Sequence, residues 1–176
     1  MNKEQLRKQY KAVRRETAHK AQKSESICEK VKNLSVWRTA SVVALYAPLP
    51  DEVDTVPLIR AALQAGKTVC LPKLSGKEMQ FYQITPDCTY SAGAFGILEP
   101  CSDILIEKGC IDIMIVPLLA ADDRLYRLGF GGGYYDRYLR DYTGFTVGIC
   151  FSEQISPASL PHEAHDIPLK LLISEK

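Results

Sequence analysis

Segments with helical and with strand-like spacing of hydrophobic residues alternate along this chain. Helices are predicted over residues 2 to about 20, 24 to 36, 55 to 66 and about 134 to 140. Ser24 is the expected N-cap of the second helix. In the third helix, Thr55 is the expected N-cap, Pro57 falls in the first turn, and Gly66 marks the C-terminal end.

The remaining hydrophobic segments are short and have the length of strands. They cover residues 41 to 46, 67 to 72, 78 to 84, 110 to 117, 145 to 151 and 169 to 174. CIDIMIVP (110–117) is apolar almost throughout, which is typical of a central strand buried on both faces. The alternation predicts an α/β fold: a three-layer α/β/α sandwich with a mostly parallel sheet, formed by residues 1–176 as a single domain. Ligands of such sheets bind at the carboxyl ends of the strands.

Composition and charge narrow the classes of function. The 176 residues are 46% hydrophobic and 24% charged, and because the net charge is only +1 we expect no nucleic-acid partner. No apolar run has the length of a membrane span, and the polar N-terminus has no secretory signal. The six cysteines show neither a CxxC pair nor zinc-ligand spacing, so we interpret them as reduced core thiols. A cytoplasmic protein without a membrane partner is therefore expected.

The most unusual segment is RLGFGGGYYDRYLR (127–140), in which four glycines fall within five residues. The N–H groups of such a backbone can converge on an anion, above all on phosphate. Arg127 adds a planar cation before the loop, and Asp136 is placed to hold a Mg²⁺ ion that a polyphosphate would bring. A glycine-rich surface turn is the alternative, but these flanking charges favour phosphate binding. The segment is neither a Walker A motif nor the dinucleotide-binding fingerprint.

This segment resembles the signature of the 5-formyltetrahydrofolate cyclo-ligase family, also called methenyltetrahydrofolate synthetases. Other segments resemble family motifs in the same order: KEQLR (3–7), YAPLPDEVDT (46–55), AFGILEP (94–100), IVP (115–117) and LPHEAHD (160–166). The resemblance covers essentially the whole chain. Leu125 and Ala121 depart from the glycine and phenylalanine usual in the family, and both lie in the approach to the glycine loop.

The resemblance implies an enzyme that uses ATP and Mg²⁺ to convert 5-formyltetrahydrofolate into 5,10-methenyltetrahydrofolate. It implies ATP contacts from Lys3, Arg7, Arg127, Leu128, Gly129, Gly131, Gly132, Gly133 and Tyr135. It implies substrate contacts from Ala47, Glu52, Phe130, Gly131, Gly132, Gly133 and Tyr134. The catalytic residues would be Arg127, Tyr134 and Asp136, and the metal acids would be Asp136 and Asp166.

One face of the first predicted helix is basic. On a helical wheel, Lys3, Arg7, Tyr10 and Arg14 lie within about 60° of one another. A solvated amphipathic helix would explain such charges, but the match of KEQLR favours ATP contacts for Lys3 and Arg7. Arg14 lies outside the motif and is a further candidate for an ATP contact.

The acidic loop and the C-terminal motif leave further alternatives. The Glu52 carboxylate can match the donor edge of a pterin with two hydrogen bonds, whereas Asp51 and Asp54 are interpreted as capping or solvated acids. His162 and His165 could belong to a zinc site, but no third ligand is evident, so we interpret them as surface histidines or as residues that orient Asp166.

Two other functions compete with the cyclo-ligase reaction. A regulatory protein of the same fold could bind ATP or folate without turnover, and the altered approach at Leu125 and Ala121 is the feature that favours it. A sugar-phosphate isomerase-like protein would share the architecture, but that idea rests on fold analogy alone. We expect a monomer whose partners are the two small-molecule substrates.

Overall fold

A computed structural model describes all residues 1–176. The α-helices are α1 (Lys3–Glu16), α2 (Lys20–Lys32), α3 (Ser35–Thr39), α4 (Val56–Gln64) and α5 (Tyr134–Leu139). The first strands are β1 (Val42–Ala44), β2 (Thr68–Ser75), β3 (Glu78–Ile84), β4 (Tyr90–Ala92), β5 (Leu98–Pro100) and β6 (Leu105–Ile106). The others are β7 (Ile113–Val116), β8 (Ala120–Ala121), β9 (Arg127–Leu128), β10 (Phe145–Ile149) and β11 (Leu171–Ile173).

Seven of these strands form one sheet in the order β11-β10-β7-β1-β2-β3-β6. The pairs β11–β10, β10–β7, β7–β1 and β1–β2 are parallel, whereas the pairs β2–β3 and β3–β6 are antiparallel. The prediction of a mostly parallel sheet is confirmed. The carboxyl ends of β1 and β7 lie side by side at one edge, and the loops that follow them carry the candidate site.

The sheet separates two hydrophobic cores because successive side chains of a strand point to opposite faces. In β7, Ile113 and Ile115 face one core while Met114 and Val116 face the other. The first core also contains buried side chains of α2, α3 and α4, and the second contains the buried side of α5. The three-layer α/β/α arrangement is thus confirmed.

Helix α1 lies beside the β8–β9 hairpin rather than on the main sheet. Its Tyr10 packs in a third cluster with Leu119, Ala120, Leu128 and Leu160. The helix begins at a capping box, in which the side chains of Asn2 and Gln5 satisfy each other's backbone N–H groups. This packing places the basic face of α1 next to the glycine loop, which directly follows β9.

Local sequence signals predicted the presence of the helices more accurately than the residue at which each helix begins. Helix α2 begins at Lys20, so the prediction that Ser24 is its N-cap is wrong; the Ser24 hydroxyl instead accepts a hydrogen bond from the Asp54 N–H at 3.0 Å. Thr55 does precede α4, but its hydroxyl donates to the Tyr46 carbonyl at 2.6 Å and does not cap the helix. No helix of this structure is both long and apolar enough to cross a membrane.

Candidate active site

The glycine loop presents a row of unused backbone donors. The N–H groups of residues 129 to 136 donate to no acceptor of the protein, although buried or ordered N–H groups are normally paired. Gly131 and Gly133 have φ values of +105° and +66°, which residues with a Cβ adopt rarely. Consecutive donors of this kind form a concave anion site.

Two side chains of α1 reach this loop and the C-terminal motif. The Nε group of Arg7 donates to the Gly129 carbonyl at 3.0 Å, and a Cβ built at Gly131 would lie 3.3 Å from the Arg7 guanidinium carbon. The Lys3 ammonium is 2.5 Å from Asp166 Oδ2 and 3.1 Å from Glu163 Oε1. Both predicted ATP-binding cations of α1 therefore lie at the site.

Arg127 and Asp136 form an ion pair beneath the glycine loop. Arg127 Nη2 donates to Asp136 Oδ1 at 2.8 Å, while Nη1 donates to the Ile167 carbonyl at 2.6 Å. The side chain of Arg127 is only 3% exposed, and burial lowers its pKa although Asp136 and Asp166 act in the opposite direction. The Ile167 N–H also donates to Asp136 Oδ1, at 3.2 Å. The strand end, the first turn of α5 and the C-terminal motif are thus joined at one guanidinium.

The two predicted metal acids each keep one carboxylate oxygen without a hydrogen-bond donor. Asp136 uses Oδ1, and Asp166 uses Oδ2 to accept from Lys3 and from the Glu163 N–H. Burial raises the pKa of Asp166, but these two donors and the Lys3 charge bring it below its usual value. No three His, Cys, Asp or Glu side chains cluster as a metal site. Because Mg²⁺ usually takes one or two carboxylates together with phosphate oxygens, the residues fit that ion only alongside a nucleotide.

The aromatic residues of the loop occupy three different environments. The Phe130 ring is exposed and lies 4.9 Å from the Arg14 guanidinium carbon. The Tyr134 hydroxyl donates to the Gly76 carbonyl at 3.0 Å, which anchors its ring to the β2–β3 turn. The Tyr135 hydroxyl is buried without a hydrogen-bond partner, and burial raises its pKa, with Glu52 adding to the effect. A buried hydroxyl without a partner is destabilising, so Tyr135 is the residue here that most needs a ligand or a movement of the loop.

Arg14 also contacts the acidic loop that follows β1. Glu52 is buried, with Oε1 accepting from Arg14 Nη1 at 3.0 Å and Oε2 accepting from the Leu49 N–H at 2.9 Å. The backbone N–H and carbonyl groups of Ala47 make no hydrogen bond within the protein, which leaves them free for a ligand. The interpretation of Asp51 as a solvated acid is wrong, because its carboxylate pairs with Arg14 through two hydrogen bonds of 3.0 and 3.1 Å.

Comparison with known proteins identifies the family of this chain. The model of the 5-formyltetrahydrofolate cyclo-ligase family matches residues 1–175. The chain belongs to the 5-formyltetrahydrofolate cyclo-ligase family. The resemblance seen in the sequence and the enzyme class that it implied are thereby confirmed.

Individual members agree in sequence and in structure. The 5-formyltetrahydrofolate cyclo-ligase of Haemophilus influenzae is 33% identical over 156 residues, covering 84% of this chain and 83% of its own length. The 5,10-methenyltetrahydrofolate synthetase of Aquifex aeolicus is 38% identical with a TM-score of 0.87, over 100% of this chain and 91% of that one. The synthetase of Mycoplasma pneumoniae is 28% identical with a TM-score of 0.82, over the full length of both chains.

The two departures from the cyclo-ligase family pattern lie in the turn and hairpin that lead into the glycine loop. Leu125 has φ +66°, a conformation that favours glycine, so the turn keeps the geometry of a glycine position despite the side chain. Ala121 is buried in the β8–β9 hairpin. The buried Asp122 carboxylate holds the turn by accepting from the N–H groups of Arg124 and Tyr126, at 3.1 and 3.0 Å. The approach to the glycine loop is therefore ordered without the usual residues.

Sequence reasoning missed Asp122, whose carboxylate fixes the turn before β9. Asp122 also accepts from the Leu160 N–H at 2.8 Å, which connects the turn before β9 to the C-terminal motif. The only sequence signal was an aspartate two residues before a potential N–H donor, as in an Asx-turn. The ring of His162 stacks on Tyr126 with centroids 4.1 Å apart, and His165 is exposed, in agreement with the interpretation of these two as surface histidines.

Proposed function

We propose that this protein uses the cleavage of ATP to convert 5-formyltetrahydrofolate into 5,10-methenyltetrahydrofolate, with release of ADP and phosphate. The observation that carries the proposal is the row of unused N–H groups at residues 129 to 136, flanked by the cations Arg7 and Arg127. Unpaired amides together with fixed guanidinium groups match the charge and geometry of a polyphosphate. Membership in the cyclo-ligase family supports the folate half of the reaction.

The reaction needs activation of a poor electrophile. The formyl oxygen attacks the γ-phosphorus of ATP, so that a C–O–P linkage forms and the bond to ADP breaks. N10 of the folate then attacks the formyl carbon, loses its proton, and expels phosphate as the C–O bond breaks. Catalysis of phosphoryl transfer consists mainly of positioning and charge stabilisation, so the site needs donors and cations rather than a protein nucleophile.

The residues at the site would form two groups, one that binds ATP and one that binds the folate. Lys3, Arg7 and the loop amides would bind the phosphate oxygens, and Arg127 would stabilise charge on the group in transfer. In the second group, the Glu52 carboxylate and the backbone of Ala47 would hold the pterin. Bound with the nucleotide, Mg²⁺ would be held by the free oxygens of Asp136 and Asp166 and would add positive charge next to the polyphosphate.

A turnover assay tests the proposal. The protein is mixed with 5-formyltetrahydrofolate and MgATP, and the near-ultraviolet absorbance band of the methenyl product is followed. Product formation should require both ATP and Mg²⁺, and chelation by EDTA should stop it. ATP binding by calorimetry without any product would favour a non-catalytic binding protein, and ATP-independent product formation would refute the mechanism.

The proposal extends to the state of the protein in the cell. We also propose that the protein acts as a monomer. Hydrophobic residues from both ends of the chain, such as Ile27 and Ile173, share one core, which supports a single domain over residues 1–176. The six cysteines are unpaired, which supports action in the reducing cytoplasm. Size-exclusion chromatography with light scattering tests the monomer.

A further inference from the structure

Arg14 of helix α1 is buried, and each of its three nitrogens makes a hydrogen bond to a carboxylate. Its side chain is 3% exposed, with Nε and Nη2 donating to Asp51 and Nη1 donating to Glu52 at 3.0 Å. Lys3 and Arg7 lie on the same face of the helix but nearer its N-terminus. At 1.5 Å rise per residue, Arg7 is about 10 Å and Lys3 about 16 Å from Arg14 along the helix axis. The basic face therefore contacts two separate parts of the protein. Lys3 and Arg7 contact the C-terminal motif and the glycine loop, whereas Arg14 contacts the acidic loop.

The cluster contains one cation and two carboxylates, so it carries a net negative charge within a largely buried environment. Burial is the main factor that raises the pKa of Glu52, and the neighbouring Asp51 raises it further. The Leu49 N–H and Arg14 act in the opposite direction. Burial raises the pKa values of Tyr46 and Tyr135, and the charge of Glu52 adds to the effect, so both hydroxyls stay neutral. Arg14 is thus the one cation that favours the charged form of Glu52.

The same guanidinium also touches the glycine loop. The Phe130 ring centroid lies 4.9 Å from its central carbon, within the range of a cation–π contact. Because the planar guanidinium has fixed donors, its bonds to Asp51 and Glu52 hold both carboxylates in defined orientations. A lysine at this position would keep the charge but could not make the three bonds together.

We infer that Arg14 is a positioning residue for folate recognition, which holds the Glu52 carboxylate ionised and correctly oriented without touching either substrate. This inference rests on the proposed function. It assigns Arg14 to the folate end of the site and not to ATP. Glu52 uses one lone pair of each oxygen for Arg14 and Leu49, and the remaining lone pairs are available to the pterin donors.

The experiment measures affinities for 5-formyltetrahydrofolate and, separately, for MgATP between pH 6.5 and 9 by calorimetry. Arg14→Gln should weaken folate binding about 10- to 100-fold at pH 7, as expected when a charge-assisted hydrogen bond is lost. The loss should shrink as pH rises, because removal of the cation raises the Glu52 pKa and alkaline pH restores the carboxylate. MgATP affinity should stay within about threefold of the wild type.

Further variants separate positioning from a purely structural role. Arg14→Lys should restore the wild-type pH profile while recovering only part of the affinity, since the charge returns without the fork. Arg14→Gln combined with Glu52→Gln should bind folate no more weakly than Glu52→Gln alone, because Arg14 acts through Glu52. Arg15→Gln changes the exposed neighbour on the same helix and is the matched control.

Three outcomes with the variants would overturn the inference. A loss of folate affinity by the same factor at every pH would mean that Arg14 has a purely structural role. A loss of MgATP affinity would mean that Arg14 acts in nucleotide binding. An additive loss in the double variant would mean that Arg14 acts independently of Glu52. If Arg14→Gln does not fold, Arg14→Lys and the double variant still decide the matter. Failure of the wild-type protein itself to bind folate would refute the proposed function and this inference with it.

Discussion

Gly132 is the position where one added carbon atom should separate folding from activity. A Cβ at this residue would lie 2.6 Å from Cε2 and 2.7 Å from Cδ2 of the Tyr134 ring, closer than such atoms approach in proteins. The ring cannot swing away freely, because the Tyr134 hydroxyl donates to the Gly76 carbonyl at 3.0 Å. The conflict is one of space, since positive φ values occur at Gly131 and Gly133 but not at Gly132. Gly132→Ala is therefore sufficient as the perturbation.

The cost in stability should be small and the cost in rate large. Displacing Tyr134 removes one hydrogen bond, worth about 1 kcal/mol, and part of the packing of a half-buried ring, worth about another 1 kcal/mol. For a domain of this size a loss of 1–2 kcal/mol lowers the melting temperature by about 2–8 °C. Tyr134 and the loop amides sit at the proposed reacting centre, where a displacement of about 1 Å reduces the rate about 100-fold.

The assay is production of the methenyl product at saturating ATP and folate, with circular dichroism melting on the same preparations. Gly109→Ala is the matched control: an added Cβ there meets nothing within 4 Å, and the residue lies at the opposite end of the parallel strands. We expect wild-type turnover from Gly109→Ala and about 1% of it from Gly132→Ala. Wild-type turnover and MgATP affinity in a folded Gly132→Ala protein would refute the reasoning and leave the glycine run a flexible turn.

Further variants test the other parts of the site. Glu52→Gln should weaken folate binding by about 1.5–3 kcal/mol in calorimetry and leave MgATP binding unchanged; equal loss of both ligands would make Glu52 structural. Arg127→Lys should lower kcat at least about tenfold, because lysine lacks the planar fork that bonds Asp136 and the Ile167 carbonyl together. Asp136→Asn should raise the Mg²⁺ concentration needed for half-maximal rate. The folded-state pKa of Asp166 lies below its unfolded value, so its ion pair should stabilise the protein fully above about pH 4 and lose this effect as pH falls further. Urea titrations of wild type and Asp166→Asn should therefore differ by a constant amount from pH 5 to 8 and converge in acid; a difference that persists at low pH would contradict this.

The sequence by itself determined the family, the mostly parallel sheet, and the order of its main elements: helices α1, α2, α4 and α5 and strands β1, β2, β3, β7, β10 and β11. It did not predict the short elements α3, β4, β5, β6, β8 and β9. The features that it determined depend on local information. The period of hydrophobic residues sets the type of each element, and the two buried faces of a central strand require a continuous apolar run such as CIDIMIVP. The glycine loop is equally local, because positive φ at Gly131 and Gly133 depends on the residue itself. Helix starts were less predictable, since Ser24 could serve as a cap or, as the fold has it, bond to a distant backbone N–H.

The tertiary structure alone decided which charges meet. Lys3 and Asp166 are 163 residues apart in the chain, and Arg14 lies 37 residues from Asp51. No local pattern distinguishes a buried arginine that holds two carboxylates from one that is solvated, because the difference is created when α1 packs against the β8–β9 hairpin. Burial then removes water from these groups, so each charge needs a specific partner, and the choice of partner assigns Arg14 to Glu52 and Lys3 to Asp166.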